Sequence, residues 1–99
     1  GQLDSDLGSG VADIPVASLP ADSIRVELGV FSSWERAAAG LTALRDGQVD
    51  LLSGLRFEIA DAEDASFVVM AGPMASTALA ADLCTKLHSR QKVCRLIVP

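Results

Sequence analysis

At 99 residues, nearly half of them hydrophobic, the chain has material for one small domain whose core must use almost every apolar side chain. A formal net charge of -5 argues against a nucleic-acid partner, because binding a phosphate backbone needs clustered Lys and Arg to release counterions. No run approaches the ~18 apolar residues of a membrane helix, and no basic start followed by an apolar stretch marks a signal peptide.

The opening on Gly1 without Met reads as the start of an excised C-terminal fragment, so contact with a membrane is expected only through an anchor upstream of it. Residues 1–22 are rich in Gly, Ser and Asp and read as a linker or extended arm ahead of a domain at 23–99. Pro15 and Pro20 each remove a ladder donor, while Val11, Ile14, Val16 and Leu19 are the residues with which such an arm would dock.

The first strand is expected over 23–30, where Ile24, Val26, Leu28 and Val30 alternate with Arg25, Glu27 and Gly29. Ser32 and Glu35 then have capping-box spacing, and the apolar period switches to helical at Trp34, Ala37, Ala38, Leu41 and Leu44. Gly47 stops that helix, and Gly40 inside it weakens it unless a close approach to the sheet requires a residue without Cβ. A loop at 48–54, with Leu51 and Leu52 tucked beneath it, leads to a second strand at 55–60, with Leu55, Phe57 and Ile59 inward and Arg56 and Glu58 outward.

The acidic turn at 61–65 is too short for anything but an antiparallel hairpin into a third strand at 66–71, which Gly72-Pro73 closes. A second helix opens at Ala75 or Ser76 and runs to about Ser89, with Leu79, Ala80, Leu83, Cys84 and Leu87 inward; a last strand follows at 93–98.

The two strand–helix units are copies of one another. At one fixed, ungapped offset Val26 falls on Val69, Gly29 on Gly72, Ser33 on Ser76, Ala37 and Ala38 on Ala80 and Ala81, Thr42 on Thr85, and Leu44 on Leu87. Phe31 meets Met74 and Leu41 meets Cys84. The order βαββαβ, with right-handed crossovers joined by a hairpin, predicts an α+β, ferredoxin-like fold: a four-stranded antiparallel sheet with two helices on one face. The opposite face is then bare. It is expected to display Arg25, Glu27 and Phe31 from the first copy, Val68, Met70 and Met74 from the second, and Arg56 and Glu58 from the second strand. If Cys94 points toward the helices, Arg95 and Ile97 join them. Such a surface exceeds what solubility requires and reads as a binding surface, unless the N-terminal arm or a second copy of the domain covers it.

Catalytic signals are sparse, and the chain reads as no enzyme. Ser32, Ser33, Ser76 and Thr77 lie at helix starts, where capping accounts for them, and His88 is the lone histidine. Asp61, Glu63 and Asp64 share a solvated turn, and no phosphate loop surrounds the glycines. No metal site or cofactor is expected, since two cysteines and one histidine supply too few ligands. His88 is expected to face water in the last helical turn. Cys84 has two readings, a small buried hydrophobe or half of a disulfide with Cys94, if the latter points toward the helix layer.

The runs Val26-Glu-Leu-Gly-Val-Phe-Ser-Ser and Val69-Met-Ala-Gly-Pro-Met-Ala-Ser, each leading into a helix, resemble the paired motifs of the SPOR (sporulation-related repeat) domain family over about Ile24 to Val98. That resemblance implies a non-catalytic module that binds peptidoglycan glycan strands lacking stem peptides and gathers an envelope protein at the division septum. It also implies a periplasmic setting behind an inner-membrane anchor, which favours a Cys84–Cys94 bond. The glycan-binding residues would be Arg25, Glu27, Phe31, Arg56, Glu58, Val68, Met70, Met74 and Arg95. Glu27 stands where the family often has Gln, and Met74 where it has Phe. The competing reading is a protein–protein or self-association module that uses the same face.

Overall fold

The structure is a computed structural model that describes residues 19, 20 and 22–99. Its elements are β1 (Ile24–Phe31), α1 (Trp34–Gly47), a single-turn α2 (Val49–Leu52), β2 (Arg56–Asp61), a 3-10 turn (Glu63–Ala65), β3 (Phe67–Met74), α3 (Thr77–Ser89) and β4 (Arg95–Ile97). The sheet order is β2-β3-β1-β4, and every neighbouring pair is antiparallel. This is the expected ferredoxin-like arrangement, with α2 as a short addition where a loop was expected.

The helices pack on one side because their apolar stripes are built from small and branched residues that let them approach the sheet. Ala37 and Leu41 of α1 join Ala80, Leu83, Cys84 and Leu87 of α3 over Val26, Leu28, Phe57, Val69 and Ala71. Leu41, Leu87, Val26 and Val69 are completely enclosed, each worth roughly 1.5–3 kcal/mol of burial. The internal repeat extends to side-chain bonds. Ser33 and Ser76 are the two N-caps, accepting from the Arg36 and Leu79 amides at 3.1 Å. Thr42 and Thr85 each donate to the carbonyl four residues back, at 3.0 Å. The α1 cap is therefore Ser33 and not Ser32, one residue later than the capping-box spacing suggests.

Both copies also bend at the same glycine. In β1, Leu28 and Gly29 together oppose Val69, because Glu27 pairs with Met70 and Gly29 with Val69. In β3 the chain continues past Gly72 and Pro73, across a cis peptide bond, and only Met74 returns to pair with Ile24. Each bulge inserts one residue and reverses which face the following side chain meets. Phe31 and Met74 consequently pack with Ile24 against the helix-side core, whereas both were expected on the opposite face; Val30, expected inward, is exposed. The Phe31 ring accounts for Gly40: a Cβ there would lie 2.4 Å from Phe31 Cζ.

Cys84 and Cys94 are bonded, S–S 2.07 Å, so the start of β4 is clipped to α3 and Cys94 does point into the helix layer. His88 does not merely face water: its Nε2 lies 2.8 Å from the Cys94 carbonyl oxygen, adding a polar tie beside the disulfide. A second clamp joins α2 to the end of α3. Arg90 donates both Nη atoms to the Asp50 carboxylate, at 3.0 and 2.6 Å, and Nη1 also to Gln48 Oε1 at 2.7 Å, which gives the side-chain oxygen of buried Gln48 a partner. The hydrogen bond from Arg90 holds the Asp50 carboxyl below its ordinary pKa, with the guanidinium charge acting in the same direction.

Candidate functional site

The sheet face away from the helices is organised by strand pairing into ranks that run across the strands. One rank is Glu58, Met70, Glu27 and Arg95, in which each residue is the direct partner of the next. Cross-strand partners sit about 4.5–5.5 Å apart, close enough for their side chains to act on one another. Glu27 accordingly accepts from Arg95 Nη2 at 2.8 Å. The second rank holds Arg56 opposite Gly72, and Arg25 opposite Ile97. Gly72 leaves room for Arg25 to lie across it, since a Cβ there would come within 3.3 Å of Arg25 Cγ. Arg25 also reaches Met70 Sδ at 3.9 Å and the Ser23 carbonyl at 3.4 Å. A third rank is Ala60, Val68 and Val30.

Seven of the nine residues expected on this face are therefore there: Arg25, Glu27, Arg56, Glu58, Val68, Met70 and Arg95. Phe31 and Met74 are not, for the reason the bulges give. Ile97 joins, as the direction of Cys94 requires. The face carries three arginines against two glutamates, a local excess of positive charge on a chain whose net charge is -5.

The face is not bare. Leu19, 7% exposed, packs on Val68 and Met70, with Ala60 and Ile97 at the edge of the cluster, and its amide donates to Glu58 Oε1 at 3.1 Å. Glu58 thus anchors the residue that covers the apolar centre. Ser23 closes the turn back from Pro20, its amide donating to the Pro20 carbonyl at 3.0 Å and its hydroxyl at 2.6 Å, so the turn delivers Leu19 to the face. The docking expected of Val11, Ile14 and Val16, and the linker reading of residues 1–18, lie outside the described residues. What sequence reasoning left undecided was whether the arm or open solvent met Val68 and Met70. A leucine directly before a Pro20–Ser23 turn was the available signal.

Chemically, the face offers a small apolar centre between charged, hydrogen-bonding flanks. Among the described residues no group of three or more His, Cys, Asp or Glu side chains is placed to hold a metal ion, and no helix is long and apolar enough to cross a membrane. Comparison with protein-family models, with curated proteins and with solved structures finds no match to this chain.

Proposed function

We propose that the sheet face away from the helices binds peptidoglycan glycan strands from which the stem peptides have been removed, and that the domain is a non-catalytic SPOR-like module. In this reading it holds an inner-membrane-anchored envelope protein at the division septum from the periplasmic side. The observation that carries the proposal is the ranked face, with Arg56, Arg25 and Arg95 around Met70 and Ile97. A saccharide needs apolar platforms for its pyranose faces and hydrogen-bonding groups for its hydroxyl and acetamide substituents, and these ranks alternate the two.

Strand spacing of about 4.8 Å is close to the length of one sugar ring, so a glycan laid across the strands meets about one strand per ring. Removing a stem peptide also frees a carboxylate on the lactyl group of each muramic residue. The three arginines give that carboxylate charge-assisted partners, which a peptide-substituted strand, whose lactyl group is an amide, does not use. The resemblance of the two strand–helix motifs to the SPOR family supports the same reading. A self-association surface is the alternative; like a glycan seated on Met70, a second copy would have to displace Leu19 from Val68 and Met70.

The test is co-sedimentation with purified murein sacculi before and after amidase treatment. Retention should rise on the amidase-treated material and fall for an Arg25→Gln, Arg56→Gln, Arg95→Gln triple variant of unchanged stability. Equal retention on both materials, or full retention of the triple variant, would end the proposal. Light scattering should give a monomer mass at all concentrations; a concentration-dependent dimer lost on Met70→Asp substitution would favour the alternative.

A further inference from the structure

At the end of the helix layer, where α1, α2 and the start of β2 converge, lies a cleft of about 350 Å³ that shares only Arg56 with the glycan reading. Its volume falls in the range of small-molecule sites. The floor is apolar and closed, made by Leu52 and Phe57, which are 2% and 4% exposed. Val49 forms one lip and is exposed, an apolar side chain kept at the surface beside an apolar hole. At Gly54 the chain turns with φ 85°, and a Cβ there would meet nothing within 4 Å, so the turn leaves the mouth open.

Among the described residues the charges at the mouth have one sign: Arg45 and Arg56 line the cleft, and no carboxylate does. Among the described residues Arg45 pairs with the adjacent Asp46, Nε to Oδ1 3.3 Å, and both side chains are more than a third exposed, which makes the contact weak and easily exchanged. On a chain with a net charge of -5, an apolar hole rimmed by two guanidinium groups selects for a negative head on an apolar tail.

We propose that this cleft is a second binding site, which takes a small aliphatic carboxylate with its chain on Leu52 and Phe57 and its head between Arg45 and Arg56. Arg56 stands at the corner where the cleft meets the sheet face, whereas the remaining lining residues belong to the cleft alone.

The experiment is an amide-resolved NMR titration of the whole chain with hexanoate, hexanol and acetate. Hexanoate should shift the amides of Val49, Leu52, Gly54 and Phe57 saturably and bind at least about tenfold more tightly than hexanol, which lacks the charge, or acetate, which lacks the chain. An Arg45→Gln, Arg56→Gln double variant should bring hexanoate down to the level of hexanol, and Val49→Asp should weaken both. Equal binding of hexanoate and hexanol by the unaltered chain would overturn the proposal. So would shifts centred on Met70 and Glu27, or a preference that survives in the double variant. Because no sugar is present, the outcome is independent of whether the sheet face binds glycan.

Discussion

Gly40 lies within α1, where replacing Gly by Ala in an ordinary helix stabilises the fold by roughly 1 kcal/mol. Here the sign should reverse. The new Cβ would stand 2.4 Å from Phe31 Cζ and 2.8 Å from Cε2, well inside contact distance. The ring cannot escape toward the strand, because it already lies over the Gly29 backbone, 3.0 Å from where a Cβ on that residue would be. Overpacking of this kind costs about 1–3 kcal/mol, and subtracting the helical gain leaves a net loss of about 1 kcal/mol for Gly40→Ala. For a domain of this size that lowers the melting temperature by roughly 4–8 °C.

The assay is urea unfolding of the four members of a double-mutant cycle with Phe31→Leu. Once the ring is gone, Gly40→Ala should become stabilising by up to about 1 kcal/mol, so the two changes are strongly non-additive. A Gly40→Ala variant that is more stable than the parent, or one whose effect is the same with Phe or Leu at position 31, would refute the placement of Phe31 on the helix side.

Three further outcomes follow from the contacts. Leu19→Asp should cost roughly 1–3 kcal/mol of burial and speed peroxide oxidation of Met70, measured by mass spectrometry; an unchanged oxidation rate would show that Leu19 does not shield the face. Replacing Cys84 and Cys94 together by Ser should lower stability by roughly 2–3 kcal/mol through the lost loop constraint, and dithiothreitol should produce a comparable drop in the parent and none in the variant.

Asp50, whose carboxyl titrates below its ordinary value because of the Arg90 hydrogen bond, stabilises the fold above its unfolded pKa of about 3.9 and loses that contribution as pH falls through the folded value. Asp50→Asn should therefore melt lower than the parent at about pH 6, with the gap shrinking in high salt and closing as the pH falls through the lowered folded value. A gap that persisted in acid would place its cause elsewhere.

The duplicated strand–helix unit carried most of the fold in plain view, because a change of period from two to 3.6 at each corner is a local property of the sequence. The same duplication held information that periodicity alone passes over. Ser33 aligns with Ser76, and since the aligned serines both cap, the duplication places the cap of α1 one residue after Ser32. Gly29 aligns with Gly72, and a glycine inside a strand pattern is itself a sign of a bulge. Taking strict alternation through those glycines sent Phe31 and Met74 to the wrong face. The Arg90, Asp50 and Gln48 clamp was not readable at all, since its partners lie some forty residues apart and depend on how α2 meets α3. Leu19 was legible in part: it is one of several apolar residues on which an arm could dock, but without a period nothing local assigns it to Val68, Met70 and Glu58.

The proposed glycan site is tested most directly by mapping where a soluble, peptide-free murein oligosaccharide perturbs the amide spectrum of the chain. The largest shifts should fall on Arg25, Glu27, Arg56, Gly72, Arg95 and Ile97, with Leu19 released as the sugar is added. Shifts confined to the helix side, or no shifts at concentrations where sacculi retain the protein, would contradict it.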